Sequence, residues 1–314
     1  MFHRGVSMIK KTNAIPSKQA NQASPNGLML SGKEKKRLRR FKEMVESGRI
    51  NLTDDIAFRI SVAYDISTAQ EILDCVFEEG EYTIEQVSTE SELRAKAGGK
   101  AVRLDFFARD KRQRLINIEM QMHHRGDILP KVRENISQID AHQLNAGDHS
   151  SGMKDTVAVT FMGKDIFGEG EARYEVEHRI RKSGTIVNFG QRIVFVNLAH
   201  PGREGRLGKL IGDLLQNDWK KISSEKLRTA LKFVIEGGED MWTAALRGDP
   251  KTIKARSDQM HFEKGKAIGL EEGQEKARKE DILNMYYKAG LSPEQISSCL
   301  GVDLDQVLSI IKAG

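Results

Sequence analysis

The sequence predicts an α/β fold in which a mixed β-sheet is flanked by helices and followed by an all-helical C-terminal region. Short segments with strand alternation or a continuous β-branched run recur between residues 82 and 198. Apolar residues with helical spacing occur before, between and after these segments. Beyond Gly205 only the helical spacing remains. Strands alternating with helices favour a sheet covered by helices.

Composition limits the class of protein. The chain has 314 residues, 30% of them charged, and only two cysteines, Cys75 and Cys299, too few for a disulfide framework or a zinc cluster. No apolar run has the length of a membrane span, and the first residues lack the hydrophobic core of a signal peptide. We therefore expect a cytoplasmic protein without a membrane partner.

The positive charge is concentrated at the N-terminus. Residues 1–49 hold 12 Lys or Arg and 3 Glu, whereas the rest of the chain holds 38 basic and 42 acidic residues. Residues 1–49 are predicted to be a disordered basic arm, with a stretch from Gly32 to Val45 that can be helical. Its cations can bind nucleic-acid phosphates, or they form a solvated extension or a contact within the folded subunit. They are Lys35, Lys36, Arg37, Arg39 and Arg40.

The next segment predicts helices and a first strand. Thr53 is the expected N-cap of a short helix that ends near Arg59, and residues 68–79 and 82–87 predict a helix and a strand. Asp55 lies in the first turn of the short helix. Its position is explained either by the helix dipole or by a role in a site.

Residues 100–123 predict a β-hairpin with a charged loop of about five residues around Arg112. In an antiparallel pair of this kind, residues whose numbers sum to about 224 face each other, so Asp105 faces Glu119. Two facing carboxylates repel each other unless a cation lies between them. Their oxygen atoms suit Mg²⁺ or Mn²⁺. The alternative is a surface hairpin with a charged outer face; Phe107 and Asn117 on that face favour a cleft.

The remaining chain predicts one helix, three strands and then helices only. Three glycines, Gly265, Gly269 and Gly273, share one stripe of a charged segment, which predicts either close helix packing, as in a homodimer, or a flexible connector. The predicted elements are a helix over 128–146, strands over 156–162, 174–181 and 193–198, and a C-terminal helical hairpin after Ser292. The predicted regions are 1–49, an α/β domain over 50–203, a helical subdomain over 204–260, and a charged helix with the hairpin over 261–314.

At the residues of the hairpin the sequence resembles the PD-(D/E)XK nuclease superfamily, and within it the transposase-associated branch of recombination-promoting nucleases. Asp105 is followed after about a dozen residues by Glu119-Met120-Gln121, the order of the acidic motif. Residues 55–59 resemble the N-terminal D-x-x-F-K element of that branch. Further along, Arg125 and Arg133 follow the acidic pair, and Gln143-Leu144 precede Gly147.

The resemblance implies a restriction-endonuclease-like fold and a metal-dependent DNA endonuclease linked to recombination or transposition. Asp105 and Glu119 would bind Mg²⁺ or Mn²⁺, Gln121 occupies the place where the superfamily usually has Lys, and Asp55 would reach the metal. Lys100, beside the first strand, is a candidate for holding the scissile phosphate, or it is a surface lysine. Arg125 and Arg133 are candidates for DNA contacts; ion pairs with Asp127, Glu134 or Asp140 are the alternative.

Some residues depart from the family pattern. Arg59 replaces the Lys of the N-terminal element, and the later strand ends in NLAHPGR where the family usually has Leu-Pro-Lys. These departures leave two alternatives to an active enzyme. One is a catalytically weak or inactive nuclease-fold protein that binds nucleic acid or acts as a scaffold. The other is a regulatory protein that acts through its C-terminal hairpin.

Overall fold

The computed structural model describes residues 30–88, 104–123, 126–145 and 147–313. The helices are α1 (Gly32–Glu46), α2 (Asp55–Tyr64), α3 (Ile66–Val76), α4 (Ile128–Ala141), α5 (Gly205–Leu215), α6 (Glu225–Glu236), α7 (Gly238–Arg247), α8 (Pro250–Tyr287), α9 (Pro293–Leu300) and α10 (Leu304–Ala313). The strands are β1 (Ile84–Ser88), β2 (Phe106–Asp110), β3 (Leu115–Gln121), β4 (Thr156–Met162), β5 (Arg173–Val176) and β6 (Gln191–Asn197).

The six strands form one mixed sheet in the order β1-β2-β3-β4-β6-β5. The three central strands β3, β4 and β6 are parallel, so Gln121, Met162 and Asn197 lie side by side at their carboxyl ends. The outer pairings are antiparallel. Strand β4 is buried along its whole length, as its continuous apolar sequence predicts. The predicted fold class, a mixed sheet flanked by helices with a helical C-terminal region, is confirmed.

Helices cover both faces of the sheet. On one face Ile128, Val132 and Ile136 of α4 pack against Ala158 and Phe195. On the opposite face, residues of α1, α2, α3, α5, α6 and α7 join one large core with the alternate residues of the central strands. Neighbouring residues of a strand point to opposite faces. The polar residues of β3, which are Asn117, Glu119 and Gln121, therefore lie on the face of α4, away from that large core.

Two details at the N-terminal side differ from the sequence-based expectation. Residues 32–46 of the predicted basic arm form α1, because Leu38 and Phe41 are buried in the large core. The N-cap of α2 is Asp54 and not Thr53: the Asp54 carboxylate accepts hydrogen bonds from the first turn of the helix, whereas the Thr53 hydroxyl donates to Asn51. A carboxylate is at least as good a cap as a hydroxyl.

Two further elements are shorter than predicted. Helix α4 ends at Ala141 and not at 146, because the Gln143 side chain leaves the helical path and hydrogen-bonds both backbone groups of Lys154. Strand β5 ends at Val176 because the next residues turn into a small hairpin, in which Arg179 pairs with Ile186.

One close approach fixes the end of β4 against the end of β3. The amide of Gly163 donates to the carbonyl of Gln121 at 3.1 Å. A Cβ at position 163 would lie 2.5 Å from the carbonyl oxygen of Met122. Only glycine allows the two chains to meet this closely beside the carboxyl end of β3.

The C-terminal helices form a small core of their own around Ile282, Ile296, Val302 and Val307. Helix α9 begins as predicted, with Ser292 as the N-cap of a capping box. Within the described chain, the stripe of Gly265, Gly269 and Gly273 on α8 faces open space, so a homodimer contact there stays a prediction. Among the helices of the described residues, none combines the length and the hydropathy needed to cross a bilayer.

Candidate active site

Asp105 and Glu119 lie close together, with Asp105 just before the start of β2 and Glu119 near the end of β3. The register pairs Phe106 with Ile118 and Phe107 with Asn117, so each pair sums to 224 as the sequence predicts. The next pair in this register is Asp105 and Glu119. Two hydrogen bonds join this end of the hairpin: the Asp105 amide donates to Glu119 Oε1 at 3.1 Å, and the amide of Met120, the next residue, donates to Asp105 Oδ2 at 3.0 Å.

Each carboxylate also contacts a cationic side chain from a different helix. Arg59 of α2 donates from Nε and from an Nη to Asp105 Oδ1 at 3.0 and 2.7 Å. Lys131 of α4 places Nζ 3.2 Å from Glu119 Oε2. The Asp105 and Glu119 side chains are only 5% and 2% exposed, whereas Lys131 is 37% exposed. Lys131 is therefore the more exposed of the two cations, whereas Arg59 and Asp105 line a small pocket of about 60 Å³.

Gln121 lies two residues after Glu119 on the same face of β3. Its amide nitrogen donates to Glu119 Oε2 at 3.4 Å, the same oxygen that Lys131 contacts. This places Gln121 at the acidic pair, as the sequence predicts. Its amide can donate or accept a hydrogen bond but carries no charge.

The acidic pair brings two negative charges close together in a buried place. Burial, and after it the negative charge of Asp105, raises the pKa of the Glu119 carboxyl to about 7, against the opposing effect of Lys131. A divalent cation next to both carboxylates would relieve this repulsion, and oxygen donors suit Mg²⁺ or Mn²⁺. The residues thus fit a metal held by two carboxylates. No cluster of three or more acidic, His or Cys ligands occurs in the part of the chain that the structure describes.

A cleft of about 390 Å³ separates α1 from the end of β3. Arg37 and Arg40 line one wall of the cleft, and Gln121 and His123 line the other. Asp55, predicted to reach the metal, lies in this cleft and forms an ion pair with Arg37; the contacts found among the described residues do not join it to Asp105 or Glu119.

A second depression follows the outer face of α4 and measures about 530 Å³. Lys131, Arg133 and Ser137 are among the residues that line it. Arg133 is exposed there, and Asp140, one of its predicted partners, instead accepts hydrogen bonds from Thr156 and Gln191. Cationic side chains therefore lie on both sides of the carboxyl end of β3, on α1 and on α4, and acids line the same depressions: Asp54 and Asp55 on one side, Asp127 and Glu134 on the other.

The structure brings together only part of the predicted site. Lys35, Lys36 and Arg39 are exposed on α1 and do not line the cleft. Lys100 and Arg125 lie outside the described residues. Sequence reasoning missed Lys131. A signal for it was its place at the edge of the apolar stripe of α4, next to Val132, within reach of the strand below.

Comparison with known proteins agrees with this geometry. The model of the family described as PD-(D/E)XK nuclease family transposase matches residues 62–202. The matched segment contains Asp105, Glu119, Gln121 and Lys131, whereas Arg59 and helix α1 precede it. Searches of curated proteins and of solved structures each found no match. The family resemblance read from the sequence is thus confirmed over residues 62–202, and the mixed sheet flanked by helices agrees with the restriction-endonuclease-like fold.

Proposed function

We propose that this protein is a divalent-metal-dependent DNA endonuclease that acts in DNA recombination or transposition. The observation that carries the proposal is the pair of Asp105 and Glu119. The two carboxylates are buried beside each other at the open end of one hairpin, and burial with their mutual repulsion raises the pKa of Glu119. Such an arrangement supports a functional site.

The reaction is hydrolysis of a phosphodiester. A bound Mg²⁺ or Mn²⁺ would supply a Lewis acid that acidifies a water molecule and polarises the phosphoryl oxygen. Asp105 and Glu119 would hold the ion, and Arg59 keeps the Asp105 carboxylate in one orientation through its two hydrogen bonds. Gln121 would orient the water or a phosphate oxygen. The water oxygen bonds to phosphorus as the bond from phosphorus to one sugar oxygen breaks, and that oxygen receives a proton.

The arginines on both sides of the end of β3 support DNA as the substrate. Arg37 and Arg40 line the cleft on one side, and Arg133 is exposed in the depression on the other. Arginine binds phosphate through a planar set of donors, and such contacts give affinity independent of sequence. A strand that crosses the carboxyl end of β3 would contact the arginines on both sides.

One observation favours the second candidate, a nuclease-fold protein that binds nucleic acid without efficient cleavage. Both carboxylates already have a protein cation, and their side chains are only 5% and 2% exposed. A metal must compete with Lys131 for Glu119 before any reaction begins. Slow or absent cleavage would then accompany ordinary DNA affinity.

A plasmid assay separates the two candidates. Supercoiled plasmid is incubated with Mg²⁺ or Mn²⁺ and the wild type, Asp105→Asn, Glu119→Gln, or the control Glu225→Gln, an exposed glutamate on α6. We expect nicking by the wild type and the control, and a loss of about 10³-fold or more in the two site variants, since each removes several kcal/mol of stabilisation. Intact plasmid together with salt-sensitive gel retardation would contradict cleavage and support the binding protein.

A further inference from the structure

Lys131 lies between the buried acidic pair and the open surface. It belongs to the first turns of α4, and its ammonium is 3.2 Å from Glu119 Oε2. At the same time Lys131 lines the depression on the outer face of α4 together with Arg133 and the acids Asp127 and Glu134. A lysine in this place can contact either the carboxylate below it or an anion in the depression above it.

The charges of the site balance without a metal. Two carboxylates, Asp105 and Glu119, are matched by two cations, Arg59 and Lys131. A divalent ion bound by the two carboxylates would neutralise both of them and leave both protein cations in excess, so the less firmly held cation would be released first. Arg59 is 12% exposed and held by two hydrogen bonds, whereas Lys131 has a single contact on a flexible stem. Lys131 is therefore the cation that a metal would release first.

The released ammonium of Lys131 would supply a positive charge that Gln121 lacks. Its amide reaches the same Glu119 oxygen from β3 that Lys131 reaches from α4, so the two side chains converge on one atom. Hydrolysis of a phosphodiester develops negative charge on the phosphoryl oxygens, and a preorganised cation nearby stabilises it. The neutral amide of Gln121 cannot provide that charge.

We propose that Lys131 is a catalytic residue of this site: its ammonium pairs with Glu119 before metal binds and contacts the scissile phosphate afterwards. This inference rests on the proposed endonuclease function. It places the positive charge of the reaction centre on a side chain of α4, ten positions after Gln121. The substrate phosphate would then lie in the depression on α4, on the exposed side of Lys131.

The test compares nicking rates of Lys131→Ala, Gln121→Lys and the double variant Lys131→Ala/Gln121→Lys. Removal of a transition-state charge partner should lower the turnover rate of Lys131→Ala by about 10²-fold with little change in the DNA concentration for half-maximal rate. A lysine at position 121 would return the charge to the same atom, so the double variant should recover about tenfold or more. Lys232→Ala is the matched control, since Lys232 is also half-exposed and pairs with a glutamate, on the opposite face of the sheet.

Calorimetric titration with Mn²⁺ in the absence of DNA provides a second measurement. Lys131 competes with the metal for Glu119, so Lys131→Ala should bind Mn²⁺ at least as tightly as the wild type. A lysine that only holds Glu119 in place would give the reverse, weaker Mn²⁺ binding with no recovery in the double variant, and that result would overturn the inference. Nicking by Lys131→Ala at the rate of the wild type would also overturn it. No nicking by the wild type would overturn both this inference and the proposed function.

Discussion

The two ends of the β2–β3 hairpin each bury an acidic residue, but they do so in different ways. At the turn end, Asp110 is fully buried and accepts hydrogen bonds from the backbone amides of Arg112 and Arg114 and from the Arg114 side chain. All of these donors lie within four residues of Asp110. At the open end, Asp105 and Glu119 are also buried, but their cations come from α2 and α4.

The difference separates a structural acid from a candidate catalytic one. Asp110 is a single carboxylate whose neighbours along the chain supply both backbone donors and a cation, so it closes the turn. At the open end two carboxylates share a low-dielectric space, and their repulsion contributes to the raised pKa of Glu119. Burial alone therefore does not favour a functional site, whereas two like charges buried together do favour one.

The largest expected effect on stability belongs to the turn end. Asp110→Ala leaves Arg114 without its carboxylate at a place where that side chain is only 15% exposed. We expect the free energy of unfolding to fall by about 3–5 kcal/mol. Glu119→Gln, which removes a repelled charge and keeps the side-chain shape, should leave it unchanged or higher at pH 8. Urea unfolding of the metal-free variants measures the free energy of unfolding of each. An equal decrease for Asp110→Ala and Glu119→Gln would contradict the proposed difference between the two ends.

The pH dependence of stability tests the open end of the hairpin through Glu119. The folded-state pKa of Glu119 is raised to about 7 from an ordinary value of 4.5, so the metal-free protein loses stability as the pH rises through this interval. A shift of this size corresponds to about 3 kcal/mol, fully present as stability below pH 4.5 and lost above pH 7. Glu119→Gln should lack this decline relative to the wild type. Parallel unfolding free energies of the two proteins between pH 4.5 and pH 8 would contradict the assignment.

The smallest expected effect concerns DNA affinity. Arg40 lines the cleft at the open end, and Arg112 is exposed at the turn end. Arg40→Ala should weaken DNA binding and lower the slope of log K against log salt by about 1, because one phosphate contact is lost. Arg112→Ala should leave both unchanged. Fluorescence anisotropy with a labelled duplex at several salt concentrations provides the measurement, and equal slopes for both variants would show that DNA does not prefer the open end.

Much of the fold could be predicted because its signals are local. Strand β4 and the N-cap of α9 have the predicted bounds, since a continuous β-branched run and a Ser-Pro start are properties of short segments. The hairpin register follows from its loop length. The end of α4 was predicted less well, because a side-chain contact with a distant segment, that of Gln143 with Lys154, decides where the helix stops.

The candidate site was only partly accessible to sequence reasoning. Asp105, Glu119 and Gln121 belong to one hairpin, so strand alternation places them on one face without further information. Arg59 was read as a departure from a motif, and its contact with Asp105 was not predicted. Asp55 pairs with Arg37 across α2 and α1, and α1 is held in place by packing on α7, where Phe41 contacts Trp242; no pattern within residues 32–59 predicts that packing.

The sequence by itself determined the mixed sheet, the register of the hairpin and the meeting of its two acids, because each depends on interactions between residues close along the chain. Only the tertiary structure decided which cations neutralise those acids and how far each cation is exposed. Arg59 and Lys131 are separated by 72 positions and lie on helices on opposite faces of the sheet. Their convergence depends on how α2 and α4 pack, and packing is set by the shapes of whole helix faces, which no local motif records.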